Sequence, residues 1–201
     1  MSPFLTEWQG AESFVAFADN IGLSSEDREM LVSVGSFTLD LEQRVSADVR
    51  VEIQEIRHCR IRPELAVYLG VKPFEEVLER DVWLTSDGRR LIYARSVIPL
   101  SCTDDGLISL LSGGDRPLGR ILGDEGIDFS KDSMEFAVID GKKQALEFGL
   151  EEAGLYIARR YRLFRRSAGG WIINAAVTEV FTPSLIPVTG ARGAFKGIKR
   201  S

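Results

Sequence analysis

An Asp-Gly pair set between two long runs of strand-forming residues constrains this chain more than any other feature. Residues 76–85 and 89–98 are rich in Val, Leu, Ile, Trp and Tyr, and Ser86-Asp87-Gly88 joins them. Asp-Gly accepts the positive φ angles of a tight hairpin turn, whose twist matches the twist of the strands it connects. The chain is therefore committed to an antiparallel pair, and the rest of the sequence has to complete its sheet. Pro99 offers no N–H to a neighbouring strand and ends the second run. Val49, Val51 and Ile53 alternate with Arg50 and Glu52, so residues 48–56 read as a half-buried strand. Further strands are expected at 134–139, 158–166 and 171–181, the last two joined by a loop containing Gly169-Gly170.

Helices are expected between the groups of strands. Residues 24–34 open on a serine cap with early acids and stop at Gly35. A short helix should follow Ser36-Phe37-Thr38, another should span 104–111 and stop at Gly113-Gly114, and 146–155 form a weaker candidate containing Gly149 and Gly154. No regular β-α-β alternation appears, so the fold class is α+β: an antiparallel sheet with helices packed on it.

The length of 201 residues and a hydrophobic share of 44% suit one core, and one domain is expected over residues 1–187. Beyond it, Thr189 to Ser201 hold three glycines, two lysines, two arginines and no acid, so 188–201 reads as a mobile basic tail. A net charge of −5 weighs against nucleic acid as the partner. No apolar run approaches the roughly 20 residues of a membrane helix, and the N-terminus lacks a signal core, so a cytoplasmic protein without membrane insertion is expected. Arginines gather at Arg116 and Arg120, and at Arg159, Arg160, Arg162, Arg165 and Arg166, where solvated faces are the default reading. Cys59 and Cys102 are far apart and His58 is the only histidine, so no metal is expected and a Ser-His-Asp triad would rest on His58 alone. His58 reads as a structural residue near a strand end. Nothing resembles a phosphate loop or dinucleotide fingerprint, and no cofactor is expected.

Two charges sit where the local pattern marks burial. In the last strand Trp171, Ile173, Ala175, Val177, Glu179 and Phe181 share a face, which puts one carboxylate among apolar side chains. In the hairpin, Arg95 lies in a strand apolar on both sides, between Tyr93 and Val97 on one face. A lone buried ion costs several kcal/mol, so each of these groups must be paired or face a polar cavity. Either Arg95 and Glu179 neutralise each other, or both line one closed pocket, the arginine gripping a carboxylate and Glu179 accepting a hydroxyl or a proton. Asp115-Arg116-Pro117-Leu118-Gly119-Arg120 adds a helix start with Pro in the first turn, whose free amides, that of Leu118 among them, could meet an anionic or hydroxyl group.

Three segments together resemble the chorismate lyase family: Ala94-Arg95-Ser96-Val97-Ile98-Pro99 after the Asp-Gly turn, Arg116-Pro117-Leu118-Gly119-Arg120, and Ala158-Arg159-Arg160-Tyr161-Arg162 leading to Thr178-Glu179-Val180-Phe181. Gly35-Ser36-Phe37-Thr38 resembles the family's short segment before its second helix, and the resemblance runs from about Gly35 to Pro183. It implies flap-like helical segments over a buried site and a cofactor-free conversion of chorismate into 4-hydroxybenzoate and pyruvate. Mapped through the motifs, the family's substrate-contacting arginine falls on Arg95, its acid on Glu179, and its backbone contacts on Phe37 and Leu118. The stretch 124–155 is longer than in the shortest members and the tail after Pro187 is extra, which resembles a longer branch associated with phenolic lipid synthesis; the product could feed ubiquinone, a phenolic lipid or another pathway. The alternative is a non-catalytic sensor, because ligand-binding domains of some bacterial regulators resemble the same fold. The stretch before Gly35 is too short for a winged helix and lacks a basic recognition helix, which favours the enzyme.

Overall fold

The hairpin announced by Asp87-Gly88 forms the centre of the molecule. In a computed structural model, which describes residues 6–35, 37–141 and 154–189, Asp87 and Gly88 take φ angles of 49° and 73°, the left-handed values such a turn requires. The strands it joins are β3 (Glu76–Ser86) and β4 (Arg89–Pro99), paired from Val77↔Pro99 to Ser86↔Arg89. Five more strands complete one antiparallel sheet: β1 (Gln9–Gly10), β2 (Arg50–Arg60), β5 (Ser130–Asp140), β6 (Leu155–Ser167) and β7 (Gly170–Phe181). Their order is β1-β5-β6-β7-β4-β3-β2. The six helices among the described residues are α1 (Ala11–Asn20), α2 (Ser25–Val32), α3 (Phe37–Val45), α4 (Pro63–Leu69), α5 (Asp105–Gly113) and α6 (Leu118–Asp124).

Local chemistry sets these boundaries. The Ser24 hydroxyl accepts from the Asp27 amide at 3.1 Å and starts α2. Asp104 does the same for α5 through the Gly106 and Leu107 amides. Pro117, expected in the first turn of α6, instead precedes it, because its ψ of 144° is extended. β2 runs to Arg60 rather than ending near 56, a shift in register between Ile53 and Glu55 absorbing one residue without breaking the pairing. α1 and α4 were not anticipated. Yet Phe14, Phe17, Ala18 and Ile21, all buried, follow the helical period, while α4 opens on Pro63 and closes at Gly70 with φ 67°. The expected helix over 146–155 lies outside the described residues except for its end, where Leu155 opens β6. Of the expected tail, Val188 and Thr189 are in place, Thr189 N–H donating to the Ile21 carbonyl at 3.2 Å; residues 190–201 lie outside the described residues.

The sheet has two unlike faces. On one, α1, α2 and α3 cover Val82, Leu84, Ile92, Ile157 and Phe181, while α5 and α6 cover Leu78, Ile98, Leu163, Ile173 and Ala175. On the other, Ile61 and the α4 residues Ala66 and Leu69 pack against Val77, Val97 and Ala176, and Trp8 packs against Trp83, Tyr93, Tyr156 and Val180. Among the described residues no helix is long and apolar enough to cross a membrane.

Candidate active site

Between the two apolar clusters of the helix-covered face the sheet carries polar residues, and a cavity opens there. Its floor comes from four strands: Arg80 on β3, Ala94 and Ser96 on β4, Glu179 on β7 and Tyr161 on β6. β4 contributes only small side chains at this level, which leaves room above them. Phe37 and Thr38 of α3 form one side of the roof, Leu118 and Gly119 of α6 the other, and Phe129 and Lys131 close the β5 end. In this arrangement the cavity measures about 50 Å³, room for a water or two, so a small organic ligand enters only if the roof moves aside.

Glu179, 4% exposed, accepts from Arg159 Nε at 2.5 Å and from the Tyr161 hydroxyl at 3.3 Å. Burial, reinforced by the Glu179 charge, raises the Tyr161 pKa well above that of an ordinary tyrosine, so it stays a neutral phenol that can donate. Arg159 is wholly buried, donates through Nη1 to the Met30 and Leu31 carbonyls at 3.1 and 2.8 Å, and stacks its guanidinium 4.0 Å from the Phe37 ring centre. It thereby ties the acid on the floor to the last turn of α2 and the first residue of α3. Among the described residues its Nη2 has no hydrogen-bond partner.

Arg80, 2% exposed, donates through Nη2 to the carbonyls of Gly114 and Arg116, both at 2.8 Å, and among the described residues its Nε has no hydrogen-bond partner. These carbonyls hold the group but do not neutralise it, and burial pulls its pKa down to about 10 against the attraction of Asp115. Lys131 Nζ donates to the Gly35 carbonyl at 2.8 Å and lies 4.9 Å from the Tyr161 ring centre. Burial lowers its pKa to about 8, against the attraction of Glu179.

Of the residues singled out from the sequence, Phe37, Leu118 and Glu179 line this cavity and Arg95 does not. Ala94 stands opposite Glu179 across the β4–β7 ladder; Arg95, one residue on, points to the other side of the sheet. There its Nε and Nη2 form a two-pronged contact with Asp81 at 2.9 and 2.8 Å, and Nη2 also donates to the Tyr93 hydroxyl at 3.0 Å. Burial opposes the charge of Arg95, but its hydrogen bonds to Asp81 carry its pKa above the ordinary arginine value. Neither expectation for the pair is met: Arg95 and Glu179 do not neutralise each other and do not share a pocket. Each has its own partner on its own face.

Arg80 and Lys131 were not singled out in the sequence, Tyr161 entered only as part of a motif, and Arg159, expected on a solvated face, is instead wholly buried. Two of them carried the signal that picked out Glu179: Leu78, Arg80, Val82 and Leu84 form an apolar face with one cation, and so do Ile157, Arg159, Tyr161 and Leu163. Lys131 carried none, because the β5–β6 register shifts between Asp132 and Glu135 and Ser133 has φ 52°. His58 is exposed two residues from the end of β2, as expected, and both cysteines are free thiols. Among the described residues no three His, Cys, Asp or Glu side chains cluster as a metal site would require.

Residues 31–188 match the family described as Chorismate pyruvate-lyase Rv2949c-like. A protein of Marinobacter nauticus named "Probable chorismate pyruvate-lyase" is 36% identical over 95 residues, 47% of this chain and 50% of that protein. A protein of the same name from Methylococcus capsulatus is 35% identical over 88 residues, 44% of this chain and 54% of that protein. The chain thus spans about half the length of the curated relatives it matches. Among solved structures, the effector domain of PhnF from Mycobacterium smegmatis shares the fold, with a TM-score of 0.56 at 16% identity over 76% of this chain and 91% of that one.

Proposed function

We infer from the Chorismate pyruvate-lyase Rv2949c-like family, to which this chain belongs, that the cavity converts chorismate to 4-hydroxybenzoate and pyruvate. The observation that carries this reading is Arg80, a buried cation on the floor with an unpartnered Nε and no carboxylate within 4.0 Å among the described residues. A buried charge held only by backbone carbonyls is unfavourable until an anion arrives. A carboxylate on the substrate ring supplies one.

The reaction needs little beyond positioning. The ether C–O bond breaks with its electrons going to the enolpyruvyl oxygen, and the C–H bond of the ring carbon bearing the hydroxyl gives its pair to the ring, which becomes aromatic. The proton ends on the methylene carbon of the departing group, which leaves as pyruvate. Atoms balance without water, an electron carrier or a second substrate. In this reading Arg80 fixes the ring carboxylate in place of Arg95. Glu179, held by Arg159 and Tyr161, receives the ring hydroxyl and serves as the relay for the ring proton. The amides of Phe37 and Leu118, first residues of their helices and without intrahelical acceptors, complete the grip. The helices of the roof exclude water while charge develops on the leaving oxygen.

The likeness to the PhnF effector domain supports a second reading, a site that binds and does not react. Incubation of the purified protein with chorismate, with chromatography for 4-hydroxybenzoate and pyruvate in equal amounts, tests between them. Product formed faster than spontaneous decay supports the lyase; saturable binding of chorismate without product supports the sensor and sinks the lyase.

A further inference from the structure

The charges of the cavity do not cancel. Glu179 is the carboxylate on its walls and is already bound to Arg159. Arg80 and Lys131 are two further cations, and among the described residues neither forms an ion pair with a carboxylate. They also enter from different directions. Arg80 rises from β3 and Lys131 from β5, with β4, β7 and β6 between them, a backbone separation of about 19 Å at the usual strand spacing. Both side chains nonetheless line the one cavity, with Glu179 on an intervening strand between them.

We propose that Lys131 recognises the second carboxylate of a dianionic substrate, the one on the enolpyruvyl arm, so that the site selects dicarboxylates over compounds bearing the ring carboxylate alone. This rests on the reading of the cavity as a chorismate lyase site, in which Arg80 takes the ring carboxylate. An ammonium has three N–H donors. One is spent on the Gly35 carbonyl, which leaves donors for a ligand. That bond also places Lys131 against the turn between α2 and α3, so the group that meets the enolpyruvyl arm touches the roof over it. The ring face of Tyr161, 4.9 Å from Nζ, supports the cation without neutralising it. Once pyruvate has gone, the remaining product carries one carboxylate and makes no contact with Lys131.

The test is calorimetric binding of chorismate and of 4-hydroxybenzoate to the parent, to Lys131→Gln, which keeps a donor for Gly35 without the charge, and to Lys131→Arg. Lys131→Gln should weaken chorismate by about 10- to 100-fold, the range of a charge-assisted hydrogen bond, while 4-hydroxybenzoate changes less than about threefold by the same reasoning. Lys131→Arg should recover most of the loss. Unchanged chorismate affinity overturns the proposal, and so does an equal loss for both ligands, which would mean that Lys131 serves the ring carboxylate or only the roof. Should Lys131→Gln not fold, Lys131→Arg against Lys131→Met carries the same comparison. Turnover by the parent is scored separately. Selective loss of chorismate binding in a parent that makes no product would keep the role of Lys131 and reject the lyase; turnover with unaltered binding in the variants would do the reverse.

Discussion

Arg80, buried, and Arg95, half-buried, both belong to the central hairpin, and their partners give them opposite tasks. Arg95 is satisfied by Asp81 and Tyr93, whereas Arg80 has two carbonyls and an idle Nε. Arg80→Lys replaces the planar fork with a point charge and should lower kcat/KM for chorismate at least about 10-fold with a small change in melting temperature. Arg95→Lys should do the reverse: turnover per folded molecule stays near the parent while thermal melts show the loss of a two-pronged pair, at most about 3–5 kcal/mol for a buried one. Initial rates corrected for folded fraction, beside melting curves, separate the two. Lys131 adds a pH dependence. It faces Glu179, which favours its charge, together with Arg159, which opposes it, and Asp40, which favours it, and burial sets its pKa near 8. Substrate recognition by the ammonium therefore holds below that value, so kcat/KM should fall above about pH 8 and the fall should vanish in Lys131→Arg. Stability moves the other way: the unfolded chain binds the proton more tightly, so Lys131 costs the fold below pH 8 and that cost fades as pH rises toward the free lysine value. At this scale the sequence was legible by one rule, a charge alone on an apolar strand face. The rule found Glu179 and, applied to β3 and β6, also finds Arg80 and Arg159. It failed at Arg95 because Asp81, its partner, stands on the neighbouring strand, and register was not known.

Elements were legible where turn chemistry is local. The Asp87-Gly88 turn, the Ser24 cap and the Gly113-Gly114 stop were readable because each depends on the residue types within a few positions. The short helix α4 depends instead on burial of Ile61, Ala66 and Leu69 against strands far along the chain, which no local pattern reveals. The junction between α5 and α6 shows how such elements set the site. A Cβ on Gly114 would meet the Leu110 carbonyl oxygen at 2.9 Å and Ile121 Cδ1 at 3.2 Å, so the backbone would have to move. The Gly114 carbonyl is also one of the two that hold Arg80. Gly114→Ala should therefore cost about 1–3 kcal/mol of stability, the usual penalty of overpacking, and lower kcat/KM although it adds only a methyl group. Chemical denaturation together with steady-state rates checks both effects. Normal rates in a destabilised variant would show that Arg80 does not need this anchor.

The molecule as a whole divides its labour between the two sides of one sheet, the cavity on one and the Asp81–Arg95 pair on the other. The α+β class was readable from hairpins separated by helices, but the division was not, since one residue of register decides which side a charge takes. Because the cavity holds two cations without carboxylate partners among the described residues, an anionic ligand should stabilise the folded state by about 2.7 kcal/mol at one hundred times its dissociation constant. Chorismate or 4-hydroxybenzoate should raise the melting temperature, and amide exchange should slow most in α2, α3 and α6, the elements of the roof and its attachments. Protection confined to the strands would place the ligand elsewhere. The margins of the sheet carry a separate consequence. β2 is an edge strand eleven residues long, with charges at Arg50, Glu52, Glu55, Arg57 and Arg60 and a register shift in the middle. A strand from another copy laid along it would have to desolvate those charges and follow that kink. An open edge of this length would otherwise invite fibrous stacking; here the same residues act as a barrier to it along this side of the sheet.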